Sequence, residues 1–217
     1  MTIVFCLPGR MFSGKFLQSW TILLNHCIRK NINIVISQHY NPNVYYVRSQ
    51  CLGGNVLAGI HQKPWQGQLK YDYSMWIDSD MVFTPDQFEK LLSYDKDIVS
   101  GIYYTEDKVH FTAVQDWDTE YFQKTGTFKF LELSDVADKT ELMEIAYNGM
   151  GFMLIKNGVF ESIQYPWFEP RRVELSNNIE DFASEDVSFC LKAREAGYKI
   201  YIDPTMIVGH EKLQIIQ

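Results

Sequence analysis

Trp76-Ile77-Asp78-Ser79-Asp80-Met81-Val82-Phe83 sets two carboxylates one residue apart inside an otherwise apolar segment. The run Tyr73 to Ile77 reads as a buried strand, too short for a helix. Thr84-Pro85-Asp86-Gln87 then reads as a helix start, with Thr84 as N-cap, Pro85 at the first helical position and Gln87 closing a capping box. The two aspartates therefore belong where a strand ends. In an α/β sheet the carboxyl ends of strands are where ligands bind, and two ionised oxygen donors there suit Mg2+ or Mn2+ when the ion also holds a substrate diphosphate. The same residues equally suit a polar turn that caps the strand end and the next helix.

Working outward, Ile3 to Leu7 reads as a first strand, Phe16 to Arg29 as a helix, Ile32 to Ile36 as a second strand and about 49 to 60 as another helix. Strand and helix alternate from the start, which predicts parallel βαβ units. Phe88, Leu91 and Leu92 give residues 86–93 a helical stripe, and Asp97 to Gly101 reads as a further strand. Residues 103–146 are rich in charge and aromatics with weak periodicity; within them Thr127 to Leu133 alternates like a strand with one exposed face. A mixed, partly antiparallel extension is expected there. Gly149 to Ile155 reads as a Gly-rich strand, Ser184 opens a helix that Gly197 ends, and Tyr198 to Ile202 reads as a strand stopped by Asp203-Pro204. The class is α/β, with a central, mostly parallel sheet, helices on both faces and a small antiparallel extension.

The 217 residues, 46% hydrophobic and 15% aromatic, supply a core for one domain spanning 1–217. Twenty basic against 27 acidic side chains give a net charge of −7, and no lysine or arginine cluster breaks the pattern, so no nucleic-acid surface is expected. A small phosphorylated ligand met by a metal and a few basic side chains is compatible with that balance. Cys6, Cys27, Cys51 and Cys190 are scattered without Cys-x-x-Cys spacing and read as reduced core residues of a soluble, cytoplasmic protein. The apolar N-terminal run is too short for a signal peptide, and no stretch reaches the ~18 apolar residues of a membrane span.

A second acidic pair, Glu185-Asp186, follows Ser184 in the first turn of the predicted helix. Carboxylates there interact favourably with the helix dipole whatever else they do. Asp78-Ser79-Asp80, Asn148-Gly149-Met150-Gly151-Phe152, Pro166-Trp167-Phe168, Ser184-Glu185-Asp186 and His210 together resemble, in order and spacing, the signature of GT-A-fold glycosyltransferases of the family 2-like group. The resemblance runs from Pro8 to His210. It implies a Rossmann-like GT-A domain with a nucleotide-binding half over about 1–101 and an acceptor-side half over about 102–217. It further implies that Asp80, with Asp78 directly or through water, and His210 hold a divalent cation, Mn2+ or Mg2+, on the diphosphate of a UDP- or GDP-sugar. Asp186 would be the general base toward a glycan or other hydroxyl acceptor, and Glu185 would orient the acceptor or support Asp186. A carboxylate base acting in concert with bond formation would give inversion of configuration.

The loop after the first strand, Gly9-Arg10-Met11-Phe12-Ser13-Gly14-Lys15, matches G-x-x-x-x-G-K, the pattern of a phosphate-binding loop. Phe16 stands where such a loop needs Ser or Thr for Mg2+, which argues against a P-loop phosphotransferase. By the family resemblance Pro8, Gly9 and Arg10 run past the nucleoside, together with Ser79, and Arg48 is the basic residue near the nucleotide. Trp167 is the aromatic expected to touch the acceptor. Gly149 and Gly151 allow close backbone approach either by a sugar or by a neighbouring strand. A non-catalytic carbohydrate- or sugar-nucleotide-binding protein on the same fold is the remaining alternative.

Overall fold

A computed structural model describes residues 1–176 and 178–212. In chain order the elements are β1 (Thr2–Pro8), α1 (Gly14–Arg29), β2 (Asn33–His39), α2 (Val44–Cys51), β3 (Tyr73–Ile77), β4 (Met81–Val82), α3 (Pro85–Ser93), β5 (Ile98–Ile102), β6 (His110–Val114) and α4 (Thr119–Thr125). They continue with β7 (Phe130–Glu132), α5 (Leu133–Val136), β8 (Met143–Ile145), β9 (Tyr147–Asn148), β10 (Phe152–Lys156), α6 (Val159–Ser162), β11 (Arg171–Ser176), β12 (Ile179–Ala183), α7 (Glu185–Glu195), β13 (Ile200–Ile207) and β14 (Gly209–His210).

Seven strands form the central sheet in the order β2-β1-β3-β10-β5-β13-β8. β1 pairs in parallel with β2 on one side and β3 on the other, and β13 pairs in parallel with β5. β10 runs antiparallel between β3 and β5, and β8 antiparallel on β13. Alternate residues of β1 and β3 feed two separate cores. Ile3, Phe5, Tyr73, Met75 and Ile77 pack under α1 and α3, whereas Val4, Cys6 and Trp76 pack with Cys51 of α2, Phe160 of α6 and Phe189 of α7. Helices thus cover both faces, and the domain is Rossmann-like. The antiparallel extension is a second sheet, β7-β6-β9. All four cysteines are free and buried. Among the described residues no helix is long and apolar enough to cross a membrane.

The strand at 73–77 and the capping box are where local chemistry puts them: the Thr84 side chain accepts from the Gln87 amide at 3.3 Å, and the Gln87 side chain accepts from the Thr84 amide at 2.9 Å. Several boundaries differ, among them the start of the strand expected at 149–155, which begins at Phe152, and three have a further bearing on the fold. The helix expected at 49–60 lies earlier, at 44–51, because the Asn43 side chain caps the Tyr45 amide and Gly53, at φ +67°, turns the chain out after Leu52. Thr127 to Leu133 contributes only the short β7 before α5 begins. β13 does not stop at Asp203-Pro204 but runs on to Ile207 across a register irregularity between Ile202 and Ile207. Asp203 is tolerated inside it because its carboxylate accepts from the Tyr94 hydroxyl at 2.9 Å and the Thr205 amide at 2.9 Å, and meets Lys90 Nζ at 2.6 Å.

Candidate functional site

From β1 the chain leaves by α1 to β2 on one side, then returns by α2 to β3 on the other. The order of strands reverses between β1 and β3, and their carboxyl ends open the crevice that such a switch point creates. Pro8, Gly9 and Arg10 leave β1 there, and Asp78, Ser79 and Asp80 leave β3. They line one cleft of about 370 Å3 together with Arg48, Glu185 and Asp186. Gly9 is required by contact: a Cβ on it would come 2.7 Å from Ser79 Cβ, closer than two such atoms pack. The two loops therefore touch, and Arg10 lies over the Tyr40 ring at 5.4 Å.

Arg48 ties the cleft together. Its side chain comes from α2, is 4% exposed, and donates from Nε to Glu185 Oε1 at 2.9 Å and from Nη2 to Asp78 Oδ2 at 3.1 Å. Burial disfavours the guanidinium charge, but Asp78 and Glu185 more than offset it, and its pKa rises above the ordinary arginine value. Burial, and after it the Asp186 carboxylate, push Glu185 up, while Arg48 holds it back. Arg48 Nη1 is buried and has no hydrogen-bond partner among the described residues. The guanidinium also lies over the Trp76 ring, 5.8 Å from its centroid.

Asp186 sits in the first turn of α7 and accepts from the Tyr147 hydroxyl at 2.9 Å, from the Val187 amide at 2.9 Å and from the Ser184 hydroxyl. Tyr45 fixes the entry to that turn by donating to the Ala183 carbonyl at 3.0 Å. Three contacts give the Asp186 carboxylate one orientation.

His210 reaches Asp80 through the short pair of β14 with β4, in which His210 faces Met81 and the Glu211 amide donates to the Asp80 carbonyl at 2.8 Å. Its Nδ1 lies 2.7 Å from the Tyr104 carbonyl and so carries a proton; its Nε2 lies 3.2 Å from Asp80 Oδ2. Lys212 Nζ meets the same oxygen at 2.7 Å. Burial works against the Asp80 carboxylate, but His210 and Lys212 together bring its pKa down to about 2. For His210 burial opposes the charge and Asp80 prevails, raising it.

The expected three-ligand set is not assembled in this form. Asp78 is engaged by Arg48, and among the described residues no three His, Cys, Asp or Glu side chains are grouped to hold a cation. What is present is a pair, Asp80 with His210. An imidazole whose Nδ1–H is fixed on a carbonyl has its other nitrogen oriented as in metal-ligating histidines. The 3.2 Å between Nε2 and Oδ2 is close to the ~3 Å that separates adjacent ligands on an octahedral ion with bonds of about 2.1 Å.

Two expectations about the acceptor are corrected. Trp167 is fully buried, its indole N–H donating to the Phe160 carbonyl at 3.1 Å, so it presents no face to a ligand. Gly149 and Gly151 make room for Tyr103 rather than a sugar: a Cβ would come 2.3 Å from the Tyr103 hydroxyl at Gly149 and 2.8 Å from it at Gly151. Asn148, also fully buried, donates to Ser100 Oγ at 2.7 Å and pins β9 to β5. Nor does the loop at 9–15 form a phosphate cradle. Ser13 caps α1, Phe16 is in the core, and Lys15 is exposed beside Glu211 at 3.5 Å. Tyr147, Tyr45 and Lys212 are the contributors that motif reading missed; of these only Lys212, a basic residue two places after His210, stands beside a motif residue of its own cluster.

No protein-family model matches the chain, and no curated protein matches it. Among solved structures it is similar to the A197 protein of STIV, at 17% identity and a TM-score of 0.51, over 100% of this chain and 96% of that one. The two share a fold. The chain is also similar, at 12% identity and a TM-score of 0.35, to a glycosyltransferase involved in the glycosylation of the major capsid of PBCV-1, over 74% of this chain and 62% of that one. Its likeness to the inositol-1-phosphate CTP transferase from T. maritima is 9% in identity with a TM-score of 0.42, over 95% and 84% of the two chains. Likenesses of that degree leave the chemistry of this cleft to its own residues.

Proposed function

We propose that the chain, as one GT-A-type domain, is a glycosyltransferase that moves a sugar from a UDP- or GDP-sugar to a hydroxyl acceptor with inversion. The observation that supports this most is the meeting of the Asp78-Ser79-Asp80 turn and Asp186 in one cleft at the switch point, with the buried Arg48 between them. Transfer of a glycosyl group needs a diphosphate whose developing charge is neutralised and a base beside the attacking hydroxyl. Arg48, which lines the cleft, puts a positive charge beside the diphosphate. Asp186, oriented by Tyr147 and Ser184, takes the acceptor proton as the bond to the anomeric carbon forms. A divalent cation, Mn2+ or Mg2+, would be held by Asp80 and His210 and would supply charge neutralisation on the leaving diphosphate. Lys212 would then give up its contact with Asp80.

Thermal unfolding in the presence of UDP, GDP and other nucleoside diphosphates, with and without Mn2+, tests the reading. A ligand that binds the folded state raises the transition in proportion to ln(1 + [L]/Kd). At least one diphosphate should do so in a Mn2+-dependent way, and its sugar derivatives should be slowly hydrolysed. Failure of every nucleotide to shift the transition overturns the proposal, and binding without any turnover leaves a non-catalytic sugar-nucleotide-binding protein.

A further inference from the structure

Beside the cleft lies a second cavity, of about 410 Å3, that the reaction above does not use. The start of α7 lines both spaces. Ser184, Val187 and Leu191 recur at helical spacing and face the second cavity, while Glu185 and Asp186 face the cleft. The hydroxyl of Ser184 donates to Asp186, so one hydrogen bond connects the wall of the cavity to the carboxylate proposed as base.

The rest of the wall is aromatic and aliphatic. Trp117 and Phe128 pack edge to face at 5.0 Å, Phe122 adds a third ring, and Val173, Leu175 and Phe182 of the β11–β12 hairpin close the other side. Phe182 is 67% exposed although it borders this apolar space. Trp117 Nε1 is buried with no partner among the described residues, a donor without an oxygen to meet. The charged groups on the lining are all of one sign: Asp118, Glu174 and Asp181, with no lysine, arginine or histidine. The size is that of a small-molecule site, in which apolar walls supply affinity and a few polar groups set orientation.

The geometry points to this cavity as the seat of the acceptor's apolar part, which makes the acceptor an uncharged alcohol carrying a flat aryl group. The inference rests on the proposed transfer reaction for the word acceptor and on the cavity alone for the ligand class. The carboxylates on the rim repel a phosphate- or carboxylate-bearing compound. Most of a polyhydroxylated chain would face the carbon surface of Phe122, Phe128, Val173, Leu175 and Val187, with hydroxyl partners confined to Thr119, Ser184, Trp117 and the three carboxylates. An aryl group stacks on the aromatic wall, and its hydroxyl is directed past Ser184 toward Asp186.

Calorimetric titration without nucleotide, using 2-naphthalenemethanol and the same-shaped anion 2-naphthoate, reads the ligand class directly. The alcohol should bind, the anion should bind at least about tenfold more weakly, and both Phe182→Ala and Leu175→Ala should weaken the alcohol by about tenfold. Phe182 is exposed, so its truncation leaves the folded core in place. Equal affinity for the two compounds, no binding of the alcohol, or indifference to both substitutions overturns the inference. Nucleoside diphosphates titrated in the same series separate the two readings. A protein that binds nucleotide but not the alcohol loses the aryl site and keeps the transfer reaction; one that binds the alcohol but no nucleotide keeps the site and loses the reaction.

Discussion

Arg48 and Glu185, 137 residues apart in the chain, form a buried ion pair with 2.9 Å between Nε and Oε1, joining α2 to the first turn of α7. Removing the cation leaves two carboxylates, Glu185 and Asp78, without it in a poorly solvated wall. Arg48→Met should therefore destabilise the fold by about 3–5 kcal/mol, the usual cost of breaking a buried pair from one side. Glu185→Gln, which keeps an oxygen for Arg48, should cost less, about 1–2 kcal/mol. Urea unfolding of the three proteins checks the order; equal midpoints would show that the pair contributes nothing net.

Asp186→Asn should keep nucleoside diphosphate affinity within a few-fold while transfer falls by about 10²–10⁴-fold, because a base touches the acceptor proton and not the diphosphate. Tyr147→Phe should give a smaller loss, since it removes one of three contacts that orient the carboxylate. Product stereochemistry decides the mechanism: retained anomeric configuration would remove Asp186 from the role of single base.

On the proposed reading, Lys212 and a divalent cation would compete for Asp80. Lys212→Met should tighten Mn2+-dependent nucleotide binding several-fold, because a positive charge 2.7 Å from the shared oxygen is removed. Asp80→Ala should abolish the Mn2+ dependence. Calorimetry with UDP and GDP in the presence and absence of Mn2+ measures both, and a Lys212→Met protein with weakened binding would instead make Lys212 itself a phosphate contact.

Asp203 links stability to pH. Burial opposes its charge, yet Lys90, Thr205 and Tyr94 hold its pKa below the ordinary aspartate value. A folded-state pKa below the unfolded one gives stability that is present above the unfolded value, about 3.9, and is lost as pH falls through the folded value. Asp203→Asn should cost about 1–3 kcal/mol at pH 7, and the gap to the native protein should shrink below about pH 4. Urea titrations at pH 7 and pH 3 test this; a penalty that is the same at both would assign Asp203 to packing alone.

The parts of the fold legible in the sequence are those that local chemistry decides. The strand at 73–77 and the Thr84-Pro85-Asp86-Gln87 start depend on residues within a few positions of one another, and the structure reproduces both. The line of β13 through Pro204 was not legible, because it depends on Lys90 and Tyr94, more than a hundred positions away, satisfying Asp203. Trp167 misled, and Gly149 stayed open between two readings, for a related reason: an aromatic or a glycine looks the same in a sequence whether it meets a ligand or a neighbouring side chain. Here the neighbours are Phe160 and Tyr103. The nearness of His210 to Asp80 came only from the order of motifs, since nothing local in either segment names the other.

The pairing of β4 with β14 separates what holds the scaffold from what surrounds Asp80. Asp80 and His210 are separated by 130 positions, and β14 follows every strand of the central sheet. A chain truncated after Val208 would still carry the residues of both cores while Asp80 lacks His210 and Lys212. Such a truncation should therefore spare the sheet and alter only the charges around Asp80, so that loss of the scaffold and loss of the site can be read separately.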